Sequence, residues 1–311
     1  MTDAAKDPQT PQHPDSHDPH SPQTPQNPES RDALDQPSSQ SPPSPDSDEP
    51  LALRYDTALL DLDGVVYRGA DAVPHAVSAL LSAAKLGMRL TYVTNNASRT
   101  PEAVAEHLVR LGLPATPEDV VTAAQAVARM IAESVPAGAK VLMVGGEGLR
   151  VALEGYGLVP VTSADENPAA AVQGYKPSTS WEDLAEIAYA VERGVPWFAA
   201  NTDLTMPTAR GIAPGNGALV TAVAKASGGW PRIAGKPEIA LHRETMIRTN
   251  AQRPLVVGDR LDTDIEGANR AGVDSLLVLT GVTTRAEAEA AEGAQKPTYI
   301  AEDLRALLEP R

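Results

Sequence analysis

From Leu53 onward, short apolar runs alternate with longer segments whose apolar residues recur every three or four positions. A run of five or six apolar residues suits a strand covered on both faces, and segments of helical period supply the cover. This alternation predicts an α/β fold, a parallel sheet flanked by helices, because parallel neighbours need a crossover between them. The clearest runs are residues 57–62, 90–94, 254–258 and 275–279. Between the first two, PHAVSALLSAAKLG has one apolar face and a stop at Gly87. After the third, DTDIEGANRAGV reads as a shorter helix that also ends in glycine.

The middle of the chain has an alternation of its own. Residues 118–134, 181–193 and 218–226 read as helices, and 140–144 and 195–200 as strands. About 115 residues of this kind suffice for a second small α/β domain with its own core.

Open parallel sheets bind ligands at the carboxyl ends of their strands. The first run ends in LLDLDGVVYRG, which places Asp61 and Asp63 at a strand exit. The second ends in VTNNAS, presenting Thr94 and Asn95. Lys236 stands in IAGKPEIA ahead of the third run, which ends in VVGDRLDTD with Asp259, Asp262 and Asp264. Each feature alone has an ordinary explanation. DxDG is a common turn, Thr94 could cap a helix, Lys236 could be a solvated loop residue, and Asp262 or Thr263 could cap the next helix. Together they gather carboxylates, a hydroxyl and a lysine in one crevice. Burying so much acidity is costly without a cation to offset it, so the set suits a hard divalent ion and a phosphate.

Composition narrows the function further. The chain has no cysteine, which removes disulfides and thiolate chemistry, and makes the cytoplasm the expected compartment. No apolar stretch approaches the length of a membrane span, and no secretory leader is evident. Of the net charge of −15, more than half lies in residues 1–50, which carry ten acidic and two basic side chains. That balance disfavours nucleic acid, whose binding needs clustered Lys and Arg. The same fifty residues are rich in Pro, Ser and Asp and poor in apolar side chains, so a disordered tail is expected there. His13, His17 and His20 within it could suggest a metal tract, but a mobile segment holds no coordination geometry.

The ordered series DxDG, Thr-Asn, Gly-Lys-Pro and GDRLDTD resembles the haloacid dehalogenase superfamily of phosphatases, over about Tyr55 to Leu304. VTNNAS, NTDLTMPTARGIAPGNGAL and VVGDRLDTDIEGANRAG resemble its NagD-like, 4-nitrophenylphosphatase branch. The last two are similar to actinobacterial glycerol-3-phosphate phosphatases. The resemblance implies a Rossmann-like core at 51–114 and 231–311, with an α/β cap at 115–230. Only about thirty residues separate Asp61 from Thr94, and about 140 separate Thr94 from Lys236, so an insertion belongs in the second interval.

The resemblance further implies Mg²⁺ held by Asp61, Asp259 and the Asp63 carbonyl, with Asp264 direct or through water. It makes Asp61 the nucleophile and Asp63 the general acid, then base. Thr94, Asn95, Asn96 and Lys236 would serve the phosphate, and Asn201 and Arg210 the substrate from the cap. It implies a small phosphorylated metabolite as substrate, with glycerol 3-phosphate the specific expectation, and a homodimer through the cap. Trp181 and Trp197 are expected in the cap core. VGGEGLR (residues 144–150) lacks the Lys-Ser/Thr of a nucleotide loop and reads as a turn after a cap strand, whereas GIAPGNGAL reads as a helix start and hinge. One departure stands out: QGYKPSTSW puts Lys176 where many branch members carry an acid. A phospho-signalling receiver gathers similar groups, but its paired acids precede the phosphorylated aspartate on a different strand. A phosphomutase would differ only in the acceptor.

Overall fold

The computed structural model describes residues 48–208 and 210–310. The tail expected over residues 1–50, with its three histidines, lies outside the described residues except for its last three positions.

A short helix, α1 (Leu51–Arg54), leads into β1 (Thr57–Leu60), which is buried throughout. A small antiparallel hairpin follows, β2 (Tyr67–Arg68) and β3 (Asp71–Ala72), then α2 (Ala76–Lys85), β4 (Arg89–Thr94) and α3 (Pro101–Arg110). Next come β5 (Val120–Thr122) and α4 (Ala123–Ala132). The middle segment runs β6 (Lys140–Val144), α5 (Glu147–Gly155), β7 (Val159–Val161), β8 (Ala170–Gln173), α6 (Trp181–Glu192) and β9 (Trp197–Ala199). It continues through the hairpin β10 (Thr205–Thr208) and β11 (Gly211–Pro214) to α7 (Asn216–Ser227) and β12 (Arg232–Ile233). The chain closes with α8 (Ile239–Thr249), β13 (Pro254–Gly258), α9 (Glu266–Ala271), β14 (Asp274–Val278), α10 (Arg285–Glu289) and β15 (Tyr299–Ala301).

Two open sheets result, both parallel throughout. The larger has the order β15-β14-β13-β1-β4-β5, and the smaller β12-β9-β8-β6-β7. From β1 the chain winds outward through β4 and β5, and later returns to the other side of β1 at β13. The reversal between β1 and β13 opens a crevice at their carboxyl ends. The larger sheet draws β5 from beyond residue 114, and the smaller draws β12 from beyond residue 230.

A layer of helices lies between the sheets. Leu59, Val93 and Val256 of the larger sheet share one apolar cluster with Val141, Val172 and Phe198 of the smaller. Val127 and Ile131 of α4, Leu149 and Leu153 of α5 and Leu241 of α8 fill it. Because one continuous core serves both sheets, their relative placement is part of the packing rather than an added contact.

Two sequence expectations change. Helix does not begin at 118: Val120, Val121 and Thr122 extend as an edge strand paired to β4. Three consecutive β-branched residues prefer that conformation when an open strand is beside them. Thr122 then starts α4 with a capping box, its hydroxyl accepting from the Gln125 amide at 3.3 Å and its own amide donating to Gln125 Oε1 at 2.9 Å. Trp197 is buried, but Trp181 is 73 % exposed. Trp181 occupies the first turn of α6, which begins at the capping residue Ser180, and its ring lies along the outer surface with Tyr189.

His242 on α8 is buried, and neither ring nitrogen has a hydrogen-bond partner. Burial, with Lys236 nearby, holds its pKa down at about 4. An imidazole with a depressed native pKa leaves stability intact above its unfolded value and loses it as pH falls. Wild-type stability should therefore drop between about pH 6.5 and pH 4, by roughly 3 kcal/mol from this group. In His242→Leu, urea unfolding over that range should show a correspondingly flatter pH dependence; an unchanged slope would refute the assignment.

Candidate active site

Asp61 follows β1, its amide donating to the Val257 carbonyl at 2.8 Å, and Asp259 follows β13. The reversal between these strands brings the two side chains to the same crevice. Lys236 reaches in from the loop after β12, only 4 % exposed, and its Nζ donates to Asp61 Oδ1 at 2.5 Å and Asp264 Oδ1 at 2.6 Å. Asp264 stands in the single helical turn Leu261–Ile265, and its Oδ2 accepts from the amides of Asp259 (3.2 Å) and Arg260 (3.1 Å). One oxygen from each of Asp61, Asp259 and Asp264 lies within 4.8 Å of the others.

Charge in this cluster is not balanced. Burial works against the Lys236 ammonium, but Asp264 and Asp61 together outweigh it and hold its pKa above the ordinary lysine value. Burial pushes Asp61 well above the carboxylate range, and Asp264 and Asp259 add to the effect against the pull of Lys236. Asp259 is pushed up to about 6 by burial and by Asp264. Its Oδ2 accepts from the Val282 amide at 2.7 Å, whereas Oδ1 is buried with no partner. Three carboxylates facing one ammonium, with an unpaired buried oxygen among them, form an all-oxygen donor set that fits a hard divalent cation. The close approach depends on Gly281, where an added Cβ would lie 1.8 Å from Asp259 Oδ2.

Asp63 is exposed at the mouth of the crevice. Partial burial of its carboxyl raises its pKa, against the opposing fields of Arg99, His107 and Lys236. Tyr67 stacks edge-on against His107, with ring centroids 4.7 Å apart.

The Thr94 hydroxyl accepts from the Asn96 amide at 3.1 Å, and Asn96 Oδ1 accepts from the Ser98 amide and hydroxyl at 2.8 and 2.7 Å. These contacts shape the turn after β4. The Asn95 amide is turned towards Lys236, and Asn201 donates to the Asn95 carbonyl at 2.7 Å. Arg210 sits exposed beyond β10, and among the described residues its side chain joins no hydrogen bond or ion pair of the cluster. Asp262 pairs with Arg260 at 2.7 Å, outside the cluster. Lys176 pairs with Asp183 at 3.5 Å.

Sequence reasoning passed over Asp203, Arg99 and Arg260. Asp203 accepts from Asn95 Nδ2 at 3.2 Å, and its pKa is raised by burial. Its signal was available: it lies two residues past Asn201, at a carboxyl end of the smaller sheet. VGGEGLR packs against the loop after β4 of the larger sheet, and GIAPGNGAL against the loop after β9 within the smaller one. A Cβ at Gly148 would meet the Arg99 carbonyl at 2.2 Å, and one at Gly217 the Thr202 carbonyl at 2.1 Å. VGGEGLR is thus a turn after β6 whose helix packs on the loop after β4.

Residues 58–159 match the family model for haloacid dehalogenase-like hydrolases, and residues 233–307 match a second model of that kind. The chain belongs to the haloacid dehalogenase-like hydrolases, and the phosphatases of that family are its relatives. It is 49 % identical to the D-glycerol 3-phosphate phosphatase of Mycobacterium tuberculosis over 257 residues, covering 83 % of this chain and 72 % of that protein. The crystal structure of glycerol phosphate phosphatase from the same organism, in complex with magnesium, superposes with a TM-score of 0.81 at 48 % identity, covering 84 % of this chain and 79 % of that one. A p-nitrophenyl phosphatase from Archaeoglobus fulgidus follows at 30 % identity and a TM-score of 0.75, covering 82 % of this chain and 98 % of that one.

Gly281→Ala should displace Asp259 while leaving every donor in the sequence. Divalent-cation affinity, measured by calorimetry on the purified protein, should fall at least about tenfold. Wild-type affinity in this variant would show that Asp259 does not hold the ion.

Proposed function

We propose that this phosphatase hydrolyses glycerol 3-phosphate through an aspartyl-phosphate on Asp61, with Mg²⁺ held by Asp61, Asp259 and the Asp63 carbonyl. Asp264 joins that set directly or through water. The observation that carries the reading is the buried contact of Lys236 with Asp61 and Asp264, beside the unpaired oxygen of Asp259. When bound, the ion keeps Asp61 ionised and offsets charge on the phosphate oxygens.

The residues divide the work as follows. An Asp61 carboxylate oxygen forms a bond to phosphorus as the ester P–O bond breaks, and Asp63 donates its proton to the departing alkoxide. Asp63 suits this task because its raised pKa favours the protonated form before attack. Its carboxylate then takes a proton from the water that cleaves the aspartyl-phosphate, releasing phosphate and regenerating Asp61. Lys236 offsets charge on Asp61 and on the equatorial phosphoryl oxygens throughout. The Thr94 hydroxyl and the amides after it hold the same oxygens.

The substrate assignment draws on the relative named D-glycerol 3-phosphate phosphatase, 49 % identical over most of this chain. We assign the segment 115–230 the part of a cap that meets the substrate beyond its phosphate, from the hairpin bearing Arg210. A homodimer through this cap is supported by the exposed Trp181 and Tyr189 on α6. No helix among the described residues is long and apolar enough to cross a membrane, and a cytoplasmic location is the accompanying proposal. The receiver alternative suffers from strand order: the paired acids of the first strand contain the nucleophile itself.

A phosphate-release screen with Mg²⁺ should rank glycerol 3-phosphate first by kcat/KM among glycerol 3-phosphate, 2-phosphoglycolate, pyridoxal phosphate, nucleoside monophosphates and sugar phosphates. A flat ranking would make the enzyme a generalist. Asp61→Asn should abolish turnover of every ester, with the fold retained by circular dichroism; residual turnover above the contaminant control would remove Asp61 as nucleophile.

A further inference from the structure

We infer that Asn95, Asn201 and Asn216 are positioning residues, a relay of amides that ties the carboxyl ends of the smaller sheet to Lys236. The inference rests on the reading of Lys236 as the charge partner of Asp61.

The bonds run in sequence. Asn216, buried at the start of α7, donates to the Asn201 carbonyl at 2.7 Å and to the Gln173 carbonyl at 3.4 Å. These two carbonyls lie at the ends of β9 and β8. Asn201, also buried, donates to the Asn95 carbonyl at 2.7 Å, while its Oδ1 accepts from the Asp203 amide at 3.2 Å. Asn95, after β4, then grips the backbone of Lys236 from both sides. Its Oδ1 accepts from the Lys236 amide at 2.7 Å, and its Nδ2 donates to the Lys236 carbonyl at 3.1 Å. Nδ2 also donates to Asp203 Oδ1 at 3.2 Å.

Chemistry fixes both the residue type and its orientation. The Lys236 amide needs an acceptor, whereas its carbonyl and the Asp203 carboxylate need donors, so the Asn95 amide has one satisfactory setting. Aspartate could supply only acceptors at either 95 or 201. Space is fixed as well: a Cβ at Gly235 would lie 2.6 Å from the Ala200 carbonyl, 2.7 Å from Asn95 Oδ1 and 3.0 Å from Asn201 Cβ. With its side chain spent on Lys236 and Asp203, Asn95 acts on the phosphate only through the lysine it holds. Asn201, expected from sequence to meet the substrate, likewise spends both side-chain atoms inside the protein. The relay therefore sets where the Lys236 ammonium stands between Asp61 and Asp264, and it acts on the step common to every ester.

The test is steady-state phosphate release by Asn201→Ala with Mg²⁺, using glycerol 3-phosphate and 4-nitrophenyl phosphate, alongside inhibition by inorganic phosphate. A loss worth one hydrogen bond at the reacting centre predicts a kcat about tenfold lower for both esters alike. KM for both esters and the phosphate inhibition constant, which also feel the Lys236 charge, should rise by less than kcat falls. A loss confined to glycerol 3-phosphate would make Asn201 a substrate contact and overturn the relay, as would an unchanged kcat or a loss carried by KM. Should Asn201→Ala fail to fold, Asp203→Ala removes the neighbouring acceptor from Asn95 at a less buried position and is judged by the same readouts. Wild-type protein inactive on both esters would instead defeat the phosphatase reading on which the relay stands.

Discussion

The buried ammonium of Lys236 between Asp61 and Asp264 is the interaction on which the crevice depends. A charge so enclosed is tolerable only when paired, and removing one partner of such a pair costs about 3–5 kcal/mol. The lysine lies 175 residues from Asp61 in sequence, so the pair exists only if both sheets are in place. The parallel order of the larger sheet meets half of that requirement by setting β1 beside β13. The remaining half is met by the loop from β12, which carries Lys236 in from the smaller sheet.

The strand ends were legible because parallel strands buried on both faces leave continuous apolar runs, and because polar and acidic side chains follow them directly. Asp61, Thr94 and Asp259 each stand immediately after or at the end of such a run. The edge strand β5 was not, since Val120–Thr122 merges into the periodic segment of α4 and only its pairing to β4 separates the two. Trp181 illustrates the same limit. Its apolarity suggests a core position, but the phase of α6 turns that first-turn residue outward.

The asparagines expose a different boundary. Sequence expectations gave Asn95 to the phosphate and Asn201 to the substrate; both residues follow strand ends, with their amides bonded inside the protein. Sequence could not tell which way the amides face, because that is decided by partners on segments far away in the chain. Asp203 went unnoticed for the same reason: a carboxylate in a polar loop looks solvated until the loop is seen packed against Asn95 and Lys236. Residue type and strand register are local properties; side-chain direction at a strand end is not.

These directions separate two kinds of residue around one phosphate. The groups enclosed with Lys236 are fixed by bonds inside the protein, and on the proposed reading they face the phosphate itself. The exposed Arg99 stands at the mouth beside Asp63, where the proposed reading puts whatever is esterified to the phosphate. Exposed positions tolerate exchange far better than a buried hydrogen-bonded network, in which a change leaves partners unsatisfied. On the proposed reading, substrate preference can therefore drift while the buried cluster stays as it is. The tight contacts at Gly148 and Gly217 limit how that drift can occur: the loops after β4 and β9 cannot move as bodies without disturbing helices packed on them backbone to backbone. Changes in specificity would then come through side chains at the mouth and the β10–β11 hairpin, more than through repositioning of the smaller sheet.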